Sequence, residues 1–127
     1  MSSNILGWFE IPTADMERAI RFYQTVFNIE LSRQEFGDLD MAWFPFVQEG
    51  AGAPGSLVHH KDFYKPSTDG TLVYLVSQTG DLADELSRIE AAGGQVLVPK
   101  TLIAENYGYM AVFLDTEGNR VALHSNK

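Results

Sequence analysis

Apolar and polar positions along the chain change period in an order that occurs twice. Residues from Ile5 to Ile11 favour a strand, and Thr13 then stands where a helix N-cap is wanted. Met16, Ile20, Tyr23 and Phe27 recur every three to four residues, the spacing of one helical face. Asp15 and Glu17 suit the positive end of that helix. Beyond Asn28, strands are predicted over 30–33, 41–47 and 56–60, separated by polar or glycine-rich breaks such as Glu49 to Gly55.

The order then starts again. Thr71 to Ser77 reads as a strand and 81–92 as a helix with Leu82, Leu86 and Ile89 on one face. Gly93 and Gly94 close it, because glycine takes a positive φ without a Cβ penalty. Strands over 95–98, closed by Pro99, then 109–114 and 120–124 complete the second round. The chain therefore reads as one α+β domain over 1–127, built of two βαβββ modules at about 4–60 and 70–125. The stretch 59–70 is the linker, a surface connection whose aromatic residues are candidates to cover a pocket rim.

Composition narrows the partners. A chain of 127 residues, 45% of them hydrophobic, fills one core without a disulfide or a structural metal. Seventeen acidic residues against nine basic ones give a net charge of −8, which repels phosphate backbones and anionic lipid surfaces. No nucleic acid and no membrane partner is expected. There is no cysteine, which excludes thiol catalysis and thiolate metal sites. The N-terminus has no basic region, no apolar run approaches a membrane span, and a soluble cytoplasmic protein is expected.

Three segments carry a family resemblance: Trp8-Phe9-Glu10-Ile11-Pro12 followed by Asp15 to Tyr23, then Ile89 to Gly94, then Asp115-Thr116-Glu117-Gly118-Asn119-Arg120-Val121-Ala122-Leu123-His124. In this order they make the chain resemble the vicinal-oxygen-chelate superfamily, which holds glyoxalase I, bleomycin-resistance proteins and ring-cleaving dioxygenases, and within it a branch related to lactoylglutathione lyase. The resemblance implies a half-open barrel of paired modules, a small-molecule ligand on its concave face, and a homodimer. It also implies one metal ligand from each of four strands, at Trp8, near Val58, at Tyr74 (or Leu72) and at Ala122. Trp8, Leu72, Tyr74 and Ala122 are not usual divalent-metal ligands, and only the position near Val58, where His59 or His60 could fall, offers one. No metal cofactor is therefore expected.

Strand parity adds Glu10 beside Trp8 and His124 beside Ala122 to the cavity, and His60 if Val58 faces inward. The candidate ligand-binding residues are thus Trp8, Glu10, His59, His60, Tyr74, Tyr107, Tyr109 and His124. Such a lining suits an apolar or planar ligand held by one or two hydrogen bonds. The leading expectation is a protein that binds or sequesters such a ligand. A second is a metal-independent lyase, isomerase or epimerase on a small carbonyl compound, with Glu10 as catalytic base, its acidity weakened by desolvation, and His124 or Tyr107 assisting. A third is a metalloenzyme with a divalent metal displaced onto Glu10, one of His59 and His60, and His124. Trp43, Phe44 and Phe46 read as core packing.

Overall fold

The first helix, α1 (Met16–Phe27), begins where Asp15 takes an extended conformation and its carboxylate accepts a hydrogen bond from the Arg18 backbone N–H at 3.1 Å. This corrects the expectation that Thr13 is the cap. Thr13 follows the preceding strand directly and instead donates its hydroxyl to the Val58 carbonyl. The helix stops at Asn28, whose φ of 54° places it in the left-handed region. The computed structural model describes residues 4–127; residues 1–3, part of the N-terminus read above as lacking a basic region, lie outside it.

Helix α2 (Leu82–Ile89) is shorter than its periodicity suggests. Asp81 caps it by accepting from the Ala83 N–H, and residues 90–93 turn away. Gly93 has a φ of 105° and the Gly94 N–H returns to the Ile89 carbonyl at 2.9 Å, so the glycine pair closes the helix as expected.

Eight strands complete the chain: β1 (Phe9–Pro12), β2 (Ser32–Phe36), β3 (Leu39–Trp43), β4 (Gly55–His59), β5 (Tyr74–Val76), β6 (Gln95–Ala104), β7 (Gly108–Leu114) and β8 (Arg120–Ser125). They form two four-stranded sheets of identical plan, ordered β1-β4-β3-β2 and β5-β8-β7-β6. In each, the first strand runs parallel to the last and the other pairs are antiparallel. The expected pair of βαβββ modules is present. Pro99 does not end its strand, however. β6 is the outer strand of its sheet and its register shifts between Val98 and Thr101, so a residue without an N–H is accommodated there.

One face of each sheet meets the helices. Ile11, Ala42 and Leu57 of the first sheet and Ala111, Phe113, Val121 and Leu123 of the second share a single core with Phe22, Tyr23, Leu82 and Ile89 of the helices. Phe22 packs on Phe113 with ring centroids 5.8 Å apart, so α1 of the first module rests on the second sheet. The alternate residues face away from the helices. In the first sheet these include Glu10, Ser56 and Trp43, which stand side by side across β1, β4 and β3.

The turn between β7 and β8 fastens the modules together. Glu117, its side chain wholly buried, accepts from the Ala14 and Asp15 N–H groups at 2.9 and 2.7 Å and from the Arg18 guanidinium at 2.7 Å. Asn119 donates its amide to the Pro12 carbonyl. Tyr23, buried in the core, donates its hydroxyl to Asp115 at 2.6 Å. Burial pushes the Glu117 carboxyl up, but Arg18, the Asp15 and Ala14 N–H groups and the Thr116 hydroxyl together outweigh it and hold the carboxyl below its ordinary 4.5.

Two outcomes are expected. Tyr23→Phe removes one donor from buried Asp115 and should cost about 1–3 kcal/mol in urea unfolding. Because the folded Glu117 carboxyl binds a proton less readily than the unfolded one, the stability it contributes is complete above the ordinary value of 4.5 and is lost as pH falls through the folded value. Stability measured against pH should therefore fall on the acid side, and Glu117→Gln should flatten that limb.

Candidate functional site

A cavity of about 460 Å³ lies between the outer strands β1 and β5, where the two sheets come together. Its walls are Leu6 and Phe9 at β1, Phe27 and Ile29 at the end of α1, Phe44 to Val47 and Ala51 to Gly55 between β3 and β4, and Val73 to Val76 with Gln78 at β5. The lining is largely apolar, and Tyr74 and Gln78 are its residues with polar side-chain groups. Several of these walls are set by local chemistry. Gly55 pairs with Phe9 across β1 and β4, and the Phe9 ring lies where a Cβ on residue 55 would stand. Glycine at 55 is what lets that ring form a wall. Phe9 in turn packs on Phe44, whose ring meets Tyr23 edge-on in the core.

Of the candidates named from sequence, Tyr74 lines this cavity, half-exposed on β5 opposite Ala122. Phe44 and Phe46, read as core, also line it, with Phe46 52% exposed. Trp8 and Glu10 lie on the other side of β1. There the Trp8 indole donates to the Glu10 carboxylate at 3.3 Å and packs edge-to-face on Trp43 at 5.5 Å. Tyr64, from the linker, lies so near that the Glu10 charge, then burial and hydrogen bonding, hold its phenol above the ordinary value. His60 shares this helix-free face and packs against Phe63 and Tyr64, its Nδ1 accepting from the Asp62 N–H. His59 points the opposite way, its Nδ1–H donating to the Thr13 carbonyl at 2.8 Å.

The remaining candidates stand apart from the cavity. His124 donates Nε2–H to the Tyr107 carbonyl at 2.7 Å, and Tyr107 itself is 69% exposed. Tyr109 packs against the core on the helix side, with the Lys100 ammonium 4.6 Å from its ring centre. The lining residues Phe9, Phe27, Ile29, Val73 and Leu75 were not read from sequence as site residues. They are ordinary apolar positions, and only their place where two sheet edges approach makes them a wall. Buried Glu85 was also missed, although it lies on the same helical face as Leu82, Leu86 and Ile89. It accepts from the Ser77 hydroxyl at 2.7 Å and the Gln78 N–H at 2.8 Å, and so fixes the chain beside the cavity.

The family model of the Glyoxalase/Bleomycin resistance protein/Dioxygenase superfamily matches residues 5–123. The chain belongs to this superfamily. No curated protein matches it. Among solved structures, a glyoxylase/bleomycin resistance protein/dioxygenase domain from Frankia sp. EAN1pec superposes with a TM-score of 0.74 at 15% identity, covering 99% of this chain and 100% of that one. TnmS3, an antibiotic binding protein from Streptomyces sp. CB03234, gives 0.64 at 23% identity over 100% and 99% of the two chains. Glyoxalase I from Zea mays gives 0.68 at 17% identity over 95% of this chain, which spans only 46% of the maize protein. At such identities the likeness is one of fold, the half-open barrel of two βαβββ modules.

The superfamily's metal makes a test of the residues here. Glu10 and Val58 share the helix-free face of the first sheet, Val58 being fully buried, while Tyr74 and Ala122 stand directly opposite each other in the second. Indole, isopropyl, phenol and methyl side chains at Trp8, Val58, Tyr74 and Ala122 do not make a donor set for a divalent cation. Among the described residues no three His, Asp or Glu side chains gather closely enough to hold one, so Glu10, His60 and His124 do not assemble within the chain. Two expectations follow from this site. Zinc, nickel, manganese or iron(II) should leave Tm unchanged in a thermal-shift titration, whereas an ion bound to the folded state alone would raise it. Gly55→Ala should displace the Phe9 ring and cost on the order of 1–3 kcal/mol of stability.

Proposed function

We propose that the chain binds or sequesters an apolar or aromatic small molecule in the cavity between β1 and β5, without a metal cofactor. The observation that carries this reading is the lining itself: phenyl rings from Phe9, Phe27, Phe44 and Phe46, aliphatic groups from Ile29, Val73 and Leu75, and few polar groups to orient a guest. At about 460 Å³ the space is within the range of small-molecule pockets. Tyr74 and Gln78 are the lining residues whose side chains carry hydrogen-bonding groups, enough to orient a planar guest.

Superfamily membership supports the reading at the level of fold, and the antibiotic-binding protein TnmS3 is a neighbour of the same length. A net charge of −8 favours solubility, in keeping with a cytoplasmic protein. Exposed apolar side chains on the second sheet, Val76, Leu97, Leu102 and Ile103 among them, favour a homodimer. Among the described residues no helix is long and apolar enough to cross a membrane.

The neutral fluorophore N-phenyl-1-naphthylamine tests the cavity. It should bind saturably near one-to-one with a blue-shifted emission. Ala53→Phe, which fills the cavity from its loop wall, should weaken binding at least tenfold while leaving far-UV circular dichroism and Tm unchanged. Equal binding by the variant would refute this site.

A further inference from the structure

The linker between the modules holds a reactive pair that the cavity does not use. Asp69-Gly70 is the one place in the chain where an aspartate or asparagine precedes a glycine. Residues 67–70 are exposed, and 68–70 form a bend outside any helix or strand. Among the described residues the Asp69 carboxylate makes no hydrogen bond and no ion pair, and the Gly70 N–H has no acceptor. Other aspartates are restrained. Asp15, Asp81 and Asp115 accept backbone N–H groups, Asp40 pairs with Arg33, Asp84 accepts from Thr79, and each is followed by a residue that carries a side chain.

The backbone nitrogen that follows an aspartate can attack the side-chain carboxyl carbon and close a five-membered ring. A Cβ on the following residue obstructs that approach, and a hydrogen-bonded, ordered backbone prevents the turn it requires. Gly70 has no Cβ, and the bend has no ladder hydrogen bonds to hold it. Two contacts attach the linker on either side of the pair. The Ser67 N–H donates to Asn119 Oδ1 at 3.2 Å, and the Arg120 guanidinium donates to the Gly70 carbonyl at 3.5 Å. Asn119 and Arg120 stand at the β7–β8 turn that fastens the modules together.

We propose that Asp69-Gly70 is a modification site at which the aspartate isomerises spontaneously to a β-linked residue. The Gly70 nitrogen bonds to Asp69 Cγ, the bond from Cγ to its hydroxyl oxygen breaks, and the hydroxyl leaves with the amide proton as water. Water then adds to the cyclic imide and breaks one of its two C–N bonds. Opening at the Asp69 backbone carbonyl leaves the chain running through Cβ and Cγ, with a free carboxylate on Cα. Composition is unchanged, and the main chain is longer by one carbon between the linker's two attachments to the β7–β8 turn. The product is the substrate class of a carboxyl methyltransferase that recognises β-linked aspartate. Such an enzyme moves the methyl group of S-adenosylmethionine onto that carboxylate and releases S-adenosylhomocysteine. The site is separate from the β1–β5 cavity and does not depend on that cavity being occupied.

The test ages the full chain for several weeks in ¹⁸O-labelled water at neutral pH and body temperature, then maps its peptides by mass spectrometry with electron-transfer fragmentation. Whichever imide bond opens, the incoming oxygen stays in the freed carboxyl, so the peptide holding Asp69 should gain ¹⁸O at that residue and accumulate the β-linked form. Aged protein should accept methyl groups from S-adenosylmethionine and an isoaspartyl methyltransferase, and fresh protein should not. Gly70→Ala should slow both at least tenfold. Its added methyl meets no atom within 4 Å and Gly70 is not in the left-handed region, so the variant keeps the fold. Asp69→Asn should hasten imide formation, because ammonia leaves an amide more readily than hydroxide leaves a carboxylate. Absence of label at Asp69, label no greater there than at the other aspartates, or an unaltered rate in Gly70→Ala would each overturn the proposal. Should a variant not fold, the map of label along the unaltered chain decides alone.

Discussion

The fold depends on two carboxylates buried in one five-residue turn. Asp115 is satisfied by Tyr23, by the N–H groups of Glu117 and Asn119 and by the Asn119 amide, and Glu117 by Arg18, Thr116 and the first N–H groups ahead of α1. The turn belongs to the second module and its partners Tyr23, Arg18 and Asp15 to the first. A buried charge is tolerated only while its partners remain, and loss of one costs several times what an exposed pair contributes. The modules can therefore join in few ways that satisfy both carboxylates, and that restriction sets α1 on the second sheet through Phe22 and Phe113.

From that setting the site follows. With α1 fixed at its N-terminal end, its other end brings Phe27 and Ile29 to the gap between the outer strands β1 and β5. Gly55 allows Phe9 to lie flat across β4, and Glu85 holds Ser77 and Gln78 against α2 on the opposite wall. β1 then serves two purposes by alternation: Phe9 and Ile11 face the core and cavity, while Trp8 and Glu10 face the aromatic cluster.

The architecture was legible because its signals are local. Helical spacing at Met16, Tyr23 and Phe27 and the glycine pair at 93 and 94 each depend on neighbours a few residues away. The boundaries misread were those decided by distant partners. Thr13 is taken by Val58, which leaves Asp15 to cap the helix, and Pro99 is tolerated because β6 has no neighbour on one side. Parity carried Glu10 onto the face of Trp8 and His60 onto that of Val58, and Glu10 and Val58 do share the helix-free face, while Tyr109 packs on the core. The cavity was not legible. It lies between two sheet edges that are far apart in sequence, and no periodicity within either edge records the other.

The gap between β1 and β5 is proposed as a binding cavity for an apolar guest. The most direct measurement is a ¹H–¹⁵N correlation spectrum of labelled protein titrated with N-phenyl-1-naphthylamine. Saturable shifts are expected at the backbone amides of Gly52, Ala53, Gly55 and Val73 to Val76, with the Trp8 and Trp43 indole signals unmoved. Shifts confined to those indoles, or spread over the exposed strand β6 with the cavity amides silent, would contradict it.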